Sequence, residues 1–286
     1  MALQLARHFR TEIVSADSRQ FFREMNIGTA KPSPSELAEI KHHLVNSLSI
    51  HDEYNAGRFE TDALECIIKI FSKSDYAILC GGSGLYVDIV CRGSDTLPAS
   101  NPDIRSNLNT LFREQGLEAL QTKLRQLDPE FFHQVDLNNP HRLIRAIEVC
   151  LLTGSKYSAL RTAKRNTRPF DIMKIGLEDE RPEVYARIDR RVDSMMHHHL
   201  LDEAKMLYEY RHLNALQAVG YTELFSFIEG KISLDEAIAQ IRQHTRNYAK
   251  RQWTWFRKDK EIKWFRPGNA AGVIAHIESL TKQSGH

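Results

Sequence analysis

The chain has 286 residues, 42% of them apolar, which suits two ordinary domains or one domain with a large insertion and excludes a disordered or fibrous polymer. Its 39 basic and 37 acidic residues leave a net charge of +2, so no acidic or basic tail dominates the whole chain. The four cysteines (66, 80, 91, 150) include no Cys-x-x-Cys pair, which excludes a zinc ribbon or dithiol motif and favours a reducing, cytoplasmic setting, and no run of about 18 apolar residues exists to span a membrane.

Residues 1–9 (MALQLARHF) predict a helix carrying Leu3, Leu5, Ala6 and Phe9. The β-branched pair Ile13–Val14 predicts a buried strand that runs into small and acidic residues, hence into a functional loop. Gly28, Pro32 and Pro34 break structure, and Ser35 with Glu36 behind it can open the next helix. Residues 59–73 have helical apolar spacing. Tyr76–Cys80 is a short continuous apolar strand, followed by a Gly-Gly-Ser-Gly turn and another helix. This order signals an open α/β fold with a parallel sheet. Active sites in such folds lie beyond the carboxyl ends of the strands, where Ser15-Ala16-Asp17-Ser18 and Gly81–Gly84 both fall.

Residues 96–168 differ in character. A turn-rich entry leads to helical patterns at 103–126, 129–137 and 140–152 with no convincing strand. The expected organisation is an α/β core from 1–95 and 169–286, interrupted by a helical insertion at 96–168. Strand character returns at 171–178, and helices are predicted at 182–210, 214–229 and 234–258.

Charge is local rather than global. Residues 242–266 hold nine basic side chains against Asp259 and Glu261, a net of 9 − 2 = +7. A basic patch on an otherwise acidic body is the footprint of a polyanion site or, equally, a solvated helix face. Arg242, Arg246 and Lys250 recur every four residues, with Trp253, Trp255 and Phe256 interleaved; basic groups meet phosphates and aromatics stack on unpaired bases. Asp17 can be a general base or simply a helix N-cap. Arg142 and Arg145 share a helix face and can clamp a phosphate or pair with Glu148. His197-His198-His199 is no metal site, because adjacent helical residues point about 100° apart.

Read together, IVSADSRQ (13–20), IGTAKP (27–32), GGSGLY (81–86), NNPHRLIRAIEV (138–149), RIDRRVD (187–193), AVGYTEL (218–224) and TRNYAKRQWTWFR (245–257) resemble the tRNA dimethylallyltransferases, also called tRNA isopentenyltransferases or IPP transferases. The resemblance implies a nucleotide-kinase-like, P-loop-type parallel sheet with a helical insertion. It implies transfer of a dimethylallyl group from dimethylallyl diphosphate to N6 of adenosine 37 of tRNA, with Mg²⁺ as cofactor. Partners would be the tRNA anticodon stem-loop and the prenyl diphosphate, with no membrane and with the chain acting as a monomer. Asp17 matches the general base and Arg191 the pyrophosphate-holding arginine. Asp17, Ser18, Arg19 and Gln20 match tRNA contacts, as do Ser83 (usually Thr), Arg105, and His141, Arg142, Leu143, Ile144 and Arg145 of the insertion. Along the C-terminal helix the tRNA contacts are Arg242 and Arg246, then Lys250, Arg251, Gln252, Trp253, Thr254, Trp255, Phe256 and Arg257. No residue is assigned to bind metal directly. His199 stands where a Gly-Leu pair is usual.

Two rivals stay open: a small-molecule kinase on the same core, with the insertion as its lid, and a tRNA-binding remnant without catalysis. The second follows from a departure. Family members begin with a buried strand and a Gly-x-x-x-x-Gly-Lys-[Ser/Thr] loop that cradles the diphosphate. This sequence contains no such string and starts within what would be the following helix. It is therefore expected to bind the prenyl donor poorly and turn over little. Activity equal to that of a version extended upstream by the loop would refute this expectation.

Overall fold

The computed structural model describes residues 1–95, 97–161 and 167–284. In chain order these form α1 (Ala2–Phe9), β1 (Ile13–Ser15), α2 (Pro34–Glu39), β2 (His42–His43), α3 (Ala56–Phe71), β3 (Ile78–Cys80), α4 (Gly84–Arg92) and α5 (Pro102–Leu127). Then come α6 (Pro129–Phe132), α7 (Pro140–Thr153), α8 (Tyr157–Leu160), β4 (Ile175–Leu177), α9 (Arg181–His197), α10 (Leu200–Leu207), α11 (Tyr221–Ile228), α12 (Leu234–Phe256), β5 (Lys263–Phe265) and α13 (Ala270–Ser284). The chain divides into two compact units, Met1–Cys91 with Arg168–His286, and Arg92–Thr167.

In the first unit, β1 is the middle of a parallel sheet ordered β2-β1-β3. All three β1 residues, Ile13, Val14 and Ser15, are buried, so the strand is covered on both faces rather than alternating. On α3 the buried positions Phe59, Ala63, Ile67 and Ile70 follow helical spacing and pack with Val14 and Ala16. The Asn55 side chain caps that helix by accepting from the Arg58 N–H. Burial of each such large apolar side chain stabilises by about 1.5–3 kcal/mol. β4 and β5 pair in parallel as a separate two-stranded sheet, while Ile78 of β3 and Ile175 of β4 meet Leu5, Val273 and Ile277 in one apolar cluster. The α/β expectation thus holds, with five short strands in two pieces among the described residues. β2 and β5 carry little strand signal, being a His-His pair and the edge of a basic run.

Helices α9 to α12 of this unit enclose a second core around Leu200, Leu216, Tyr221, Leu224 and Ile241. The predicted helix 182–210 is broken by His199, whose φ of 68° is left-handed. A side chain there carries the strain that glycine avoids, at the position where the resemblance noted a departure. Buried Glu203 accepts hydrogen bonds from the N–H groups of Asn26, Ile27 and Gly28 and from the Tyr221 hydroxyl. It thereby fixes the turn of the IGTAKP segment.

The second unit is helical. α5 is broken at Gly116, where φ is 76°. Leu108, Leu120, Leu124, Phe131, Phe132, Leu143, Ile144, Ala146 and Ile147 form its core. Fully buried Glu148 organises one end: Oε1 accepts from the Ser100 hydroxyl and the Asn101 N–H at 2.9 Å each, and Oε2 accepts from Arg105 at 2.9 Å and Arg145 at 2.8 Å. Burial alone pushes the Glu148 carboxyl up, but Arg145, Asn101, Ser100 and Arg105 outweigh it and hold the pKa below the ordinary value. The stabilisation is therefore present above the unfolded carboxylate pKa of about 4.3 and is lost as pH falls through the folded value. Glu148→Ala is expected to cost about 3 kcal/mol, the lower end for breaking a buried pair, because Arg105 is half exposed. Urea unfolding of this variant at neutral pH checks it; a midpoint within error of wild type would refute it.

Candidate active site

Parallel pairing of β1 with β3 matches Ile13 with Ile78, Val14 with Leu79 and Ser15 with Cys80. One more hydrogen bond, from the Ala16 N–H to the Cys80 carbonyl at 2.8 Å, carries the pairing past the strand ends. The Asp17 turn and the Gly81–Gly84 turn therefore leave the sheet side by side. The Ser18 N–H donates to Ser83 Oγ at 3.1 Å, joining the two turns directly. Gly81 must be glycine, because a Cβ there would overlap the Ala16 backbone carbonyl.

Asp17 is half-buried. Its Oδ1 accepts from the Arg19 N–H at 2.8 Å and the Gln20 N–H at 3.3 Å, an Asx turn that orients the carboxylate. Among the described residues no hydrogen bond reaches Oδ2, so this oxygen is available to take a proton. Arg191 projects from α9 within electrostatic range of Asp17: desolvation lowers the arginine pKa and the Asp17 charge opposes that shift. Arg19 feels the same two effects, burial first, then the charges of Tyr86, Asp17 and Tyr248. The site thus sets a carboxylate within the charge range of two guanidinium groups, an arrangement suited to removing a proton near a departing anion.

α12 closes the glycine turn from the other side. Gln252 Nε2 donates to the Gly82 carbonyl at 2.9 Å. The Trp255 ring lies where a Gly84 side chain would be, and its Nε1 donates to Asp88 Oδ2 at 2.8 Å. Both residues thus have protein partners of their own in this turn.

Other expected contacts are also engaged within the protein. Gln20 accepts from the Ser15 hydroxyl and donates to the Thr29 and Ala30 carbonyls. The Arg19 guanidinium donates to the Asn214 and Gln217 carbonyls. Arg105 and Arg145 bind Glu148, and the Leu143 and Ile144 side chains are buried in the core of the helical unit. The Thr254 hydroxyl bonds back to the Lys250 carbonyl, and Phe256 is half-buried. Trp253 lies between the Arg181 and Arg257 guanidinium groups at 5.8 and 5.3 Å.

The +7 segment is partly neutralised across α9 and the turn before it. Arg242 pairs with Asp193, Arg246 with Asp189 at 2.7 Å, Arg257 with Glu178 at 3.2 Å and Arg266 with Glu180 at 3.5 Å. Among the described residues, Lys250, Arg251, Lys258, Lys260 and Lys263 are exposed without an ion pair, as are His141 and Arg142 in the helical unit. Sequence reasoning missed one feature. A cleft of about 270 Å³ is lined by Gln217, Thr222, Glu223, His244, Asn247 and Arg251, among others. Buried Glu223 accepts from the Gly220 N–H and the Thr222 hydroxyl and meets His244 Nδ1 at 2.5 Å. The available signal was the AVGYTEL string, quoted for its resemblance but given no role. Glu223 and His244 stand too far apart in sequence to suggest pairing.

Among the described residues no three His, Cys, Asp or Glu side chains converge as a metal site, and no helix is long and apolar enough to cross a membrane.

The model of the IPP transferase family matches residues 20–259. The tRNA dimethylallyltransferase of Christiangramia forsetii is 49% identical over 280 residues, covering 98% of this chain and 93% of that protein. tRNA dimethylallyltransferase 1 of Bacteroides thetaiotaomicron is 44% identical over 277 residues, covering 97% and 90%. The crystal structure of the tRNA isopentenylpyrophosphate transferase of Bacillus halodurans superposes with a TM-score of 0.71 at 33% identity, over 100% of this chain and 94% of that one. A eukaryotic dimethylallyltransferase acting on tRNA, at 24% identity and a TM-score of 0.80 over 99% of this chain and 76% of its own, shares the fold.

The packing of the glycine turn makes a stability prediction. Gly81→Ala, which meets backbone that cannot retreat, should cost about 2 kcal/mol. Gly57→Ala, whose nearest neighbour is 3.5 Å away near the start of α3, should be neutral or mildly stabilising. Thermal unfolding of both variants checks the contrast, and equal melting points would refute it.

Proposed function

This chain belongs to the IPP transferase family, and from that premise we propose how its site works. It is a transferase that moves a prenyl group to tRNA. We propose the dimethylallyl diphosphate carbon as the electrophile and N6 of adenosine 37, beside the anticodon, as the nucleophile. N6 attacks the allylic carbon, the carbon–oxygen bond breaks, and its electron pair leaves with the diphosphate. The N6 proton passes to Asp17 Oδ2. An exocyclic purine amine is a weak nucleophile, so a positioned carboxylate is the group this chemistry needs. Arg191 meets the charge that gathers on the leaving diphosphate. The adenine must leave its stack to reach a half-buried carboxylate.

The observation that carries this reading is the Asp17 carboxylate, held by one oxygen and open at the other, in a turn bonded to the glycine turn. Mg²⁺ would enter with the diphosphate and be coordinated mainly by phosphate oxygens and water, as this ion commonly is. The described residues make no carboxylate cage for it. Anticodon-stem phosphates would meet Lys250, Arg251 and Lys258, the exposed cations left free by pairing across α9. The site lies within a single unit of one chain, which supports a monomer as the working form. The relatives reported above are named as tRNA enzymes, which disfavours the kinase reading. The remnant reading predicts tRNA binding with no incorporation of labelled dimethylallyl.

Asp17→Asn preserves the Oδ1 acceptor and removes the base. It should lower transfer by on the order of 10²–10⁴-fold with tRNA affinity within about twofold of wild type. Transfer of labelled dimethylallyl at the wild-type rate would remove Asp17 from this role. Lys250→Ala should reduce the slope of log affinity against log salt by about 1, while Arg246→Ala, an internal pair, should change stability and leave the slope alone. The reverse pattern in filter-binding titrations would mean that the phosphate-facing stripe has been misplaced.

A further inference from the structure

We infer that Gln252 is a positioning residue for Asp17, acting through the glycine turn and not through RNA. This rests on the role given to Asp17 above. Gln252 and Trp255 are three residues apart on α12, so they share a face. That face holds both ends of one turn: Gln252 Nε2 donates to the Gly82 carbonyl at 2.9 Å, and Trp255 covers Gly84 and bonds Asp88. Between them, Ser83 accepts from the Ser18 N–H at 3.1 Å and donates its own N–H to the Ala16 carbonyl at 3.4 Å. A short path therefore runs from Gln252 through Gly82, Ser83 and Ser18 to Asp17. Because Asp17 Oδ1 is tied to the N–H groups of its own turn, the direction of Oδ2 is the direction of that turn. The neighbours of Gln252 are suited to phosphate: Lys250 and Arg251 are exposed cations. Gln252 is half-buried and uncharged, and its donor is used on protein.

Gly82 gives the inference a discriminating test. A Cβ at position 82 would occupy the place of Gln252 Nε2. Gly82→Ala and Gln252→Ala should each lower kcat about tenfold, as small misplacements of a reacting group do, with KM for tRNA and the salt slope of binding within about twofold of wild type. The Gly82→Ala/Gln252→Ala double variant, in which the new methyl fills the vacated space, should be no worse than either single variant. Gln252→Glu, which sets a carboxylate against the Gly82 carbonyl, should behave as Gln252→Ala or worse. Amide hydrogen exchange supplies a readout independent of turnover. In Gln252→Glu and Gln252→Ala, exchange at Ser18 and Arg19 should quicken several-fold while the α3 core amides stay protected. Unchanged exchange at Ser18, additive losses in the double variant, or weakened tRNA binding with kcat intact would each overturn the inference. Should the wild-type chain incorporate no dimethylallyl group, the functional reading fails, and exchange at Ser18 still decides whether Gln252 positions the turn.

Discussion

The parallel pairing of β1 with β3 is the constraint on which the site depends. It places the ends of two strands, far apart in sequence, next to each other, and one further bond from Ala16 to Cys80 extends that pairing into the loops. Gly81 then lets one backbone approach the other more closely than any side chain would permit. Asp17 owes its orientation to this seam and to the amides of its own turn. The same carboxylate on a free loop would sample many directions, and the entropy of fixing it would be charged to every encounter with substrate.

α12 serves two ends with different faces. Arg242 and Arg246 bind acids on α9, Gln252 and Trp255 lock the glycine turn, and Lys250 and Arg251 remain in solvent. A helix that both braces the glycine turn and carries free cations couples the geometry of the Asp17 carboxylate to an exposed basic surface. Charge counting along the helix misses this division. It scores nine basic residues alike, although four of them pair with acids in the segment 178–193. Arg242 and Arg246 are the more buried of these, whereas Arg257 and Arg266 stay largely exposed beside their partners.

Much of the architecture was legible because its signals are local. The β-branched pair at 13–14, the helical spacing of 59–70 and the Gly-Gly-Ser-Gly turn each follow from neighbouring residues. Elements made by distant partners were not legible. His42–His43 is a strand only because β1 supplies hydrogen bonds, and Lys263–Phe265 only because β4 does. At 182–210 the apolar period continues through His199, so nothing in the pattern announces a left-handed residue there. The Glu223–His244 pair and its cleft join elements that only the fold brings together.

By itself the sequence determined the α/β class, the two turns that leave the strand ends, and a family resemblance carried by seven strings in order. Those are statements about types and spacing, which a linear pattern contains. Only the tertiary structure decided which polar groups are available. It turned Arg105 and Arg145 onto a buried glutamate, Gln252 onto a carbonyl and Leu143 into a core, and it left Asp17 Oδ2 and Lys250 unengaged. The physical reason is that buried donors, acceptors and charges must find partners within the fold. Function is left to the groups that remain, and that remainder is known only when every partner has its place in space.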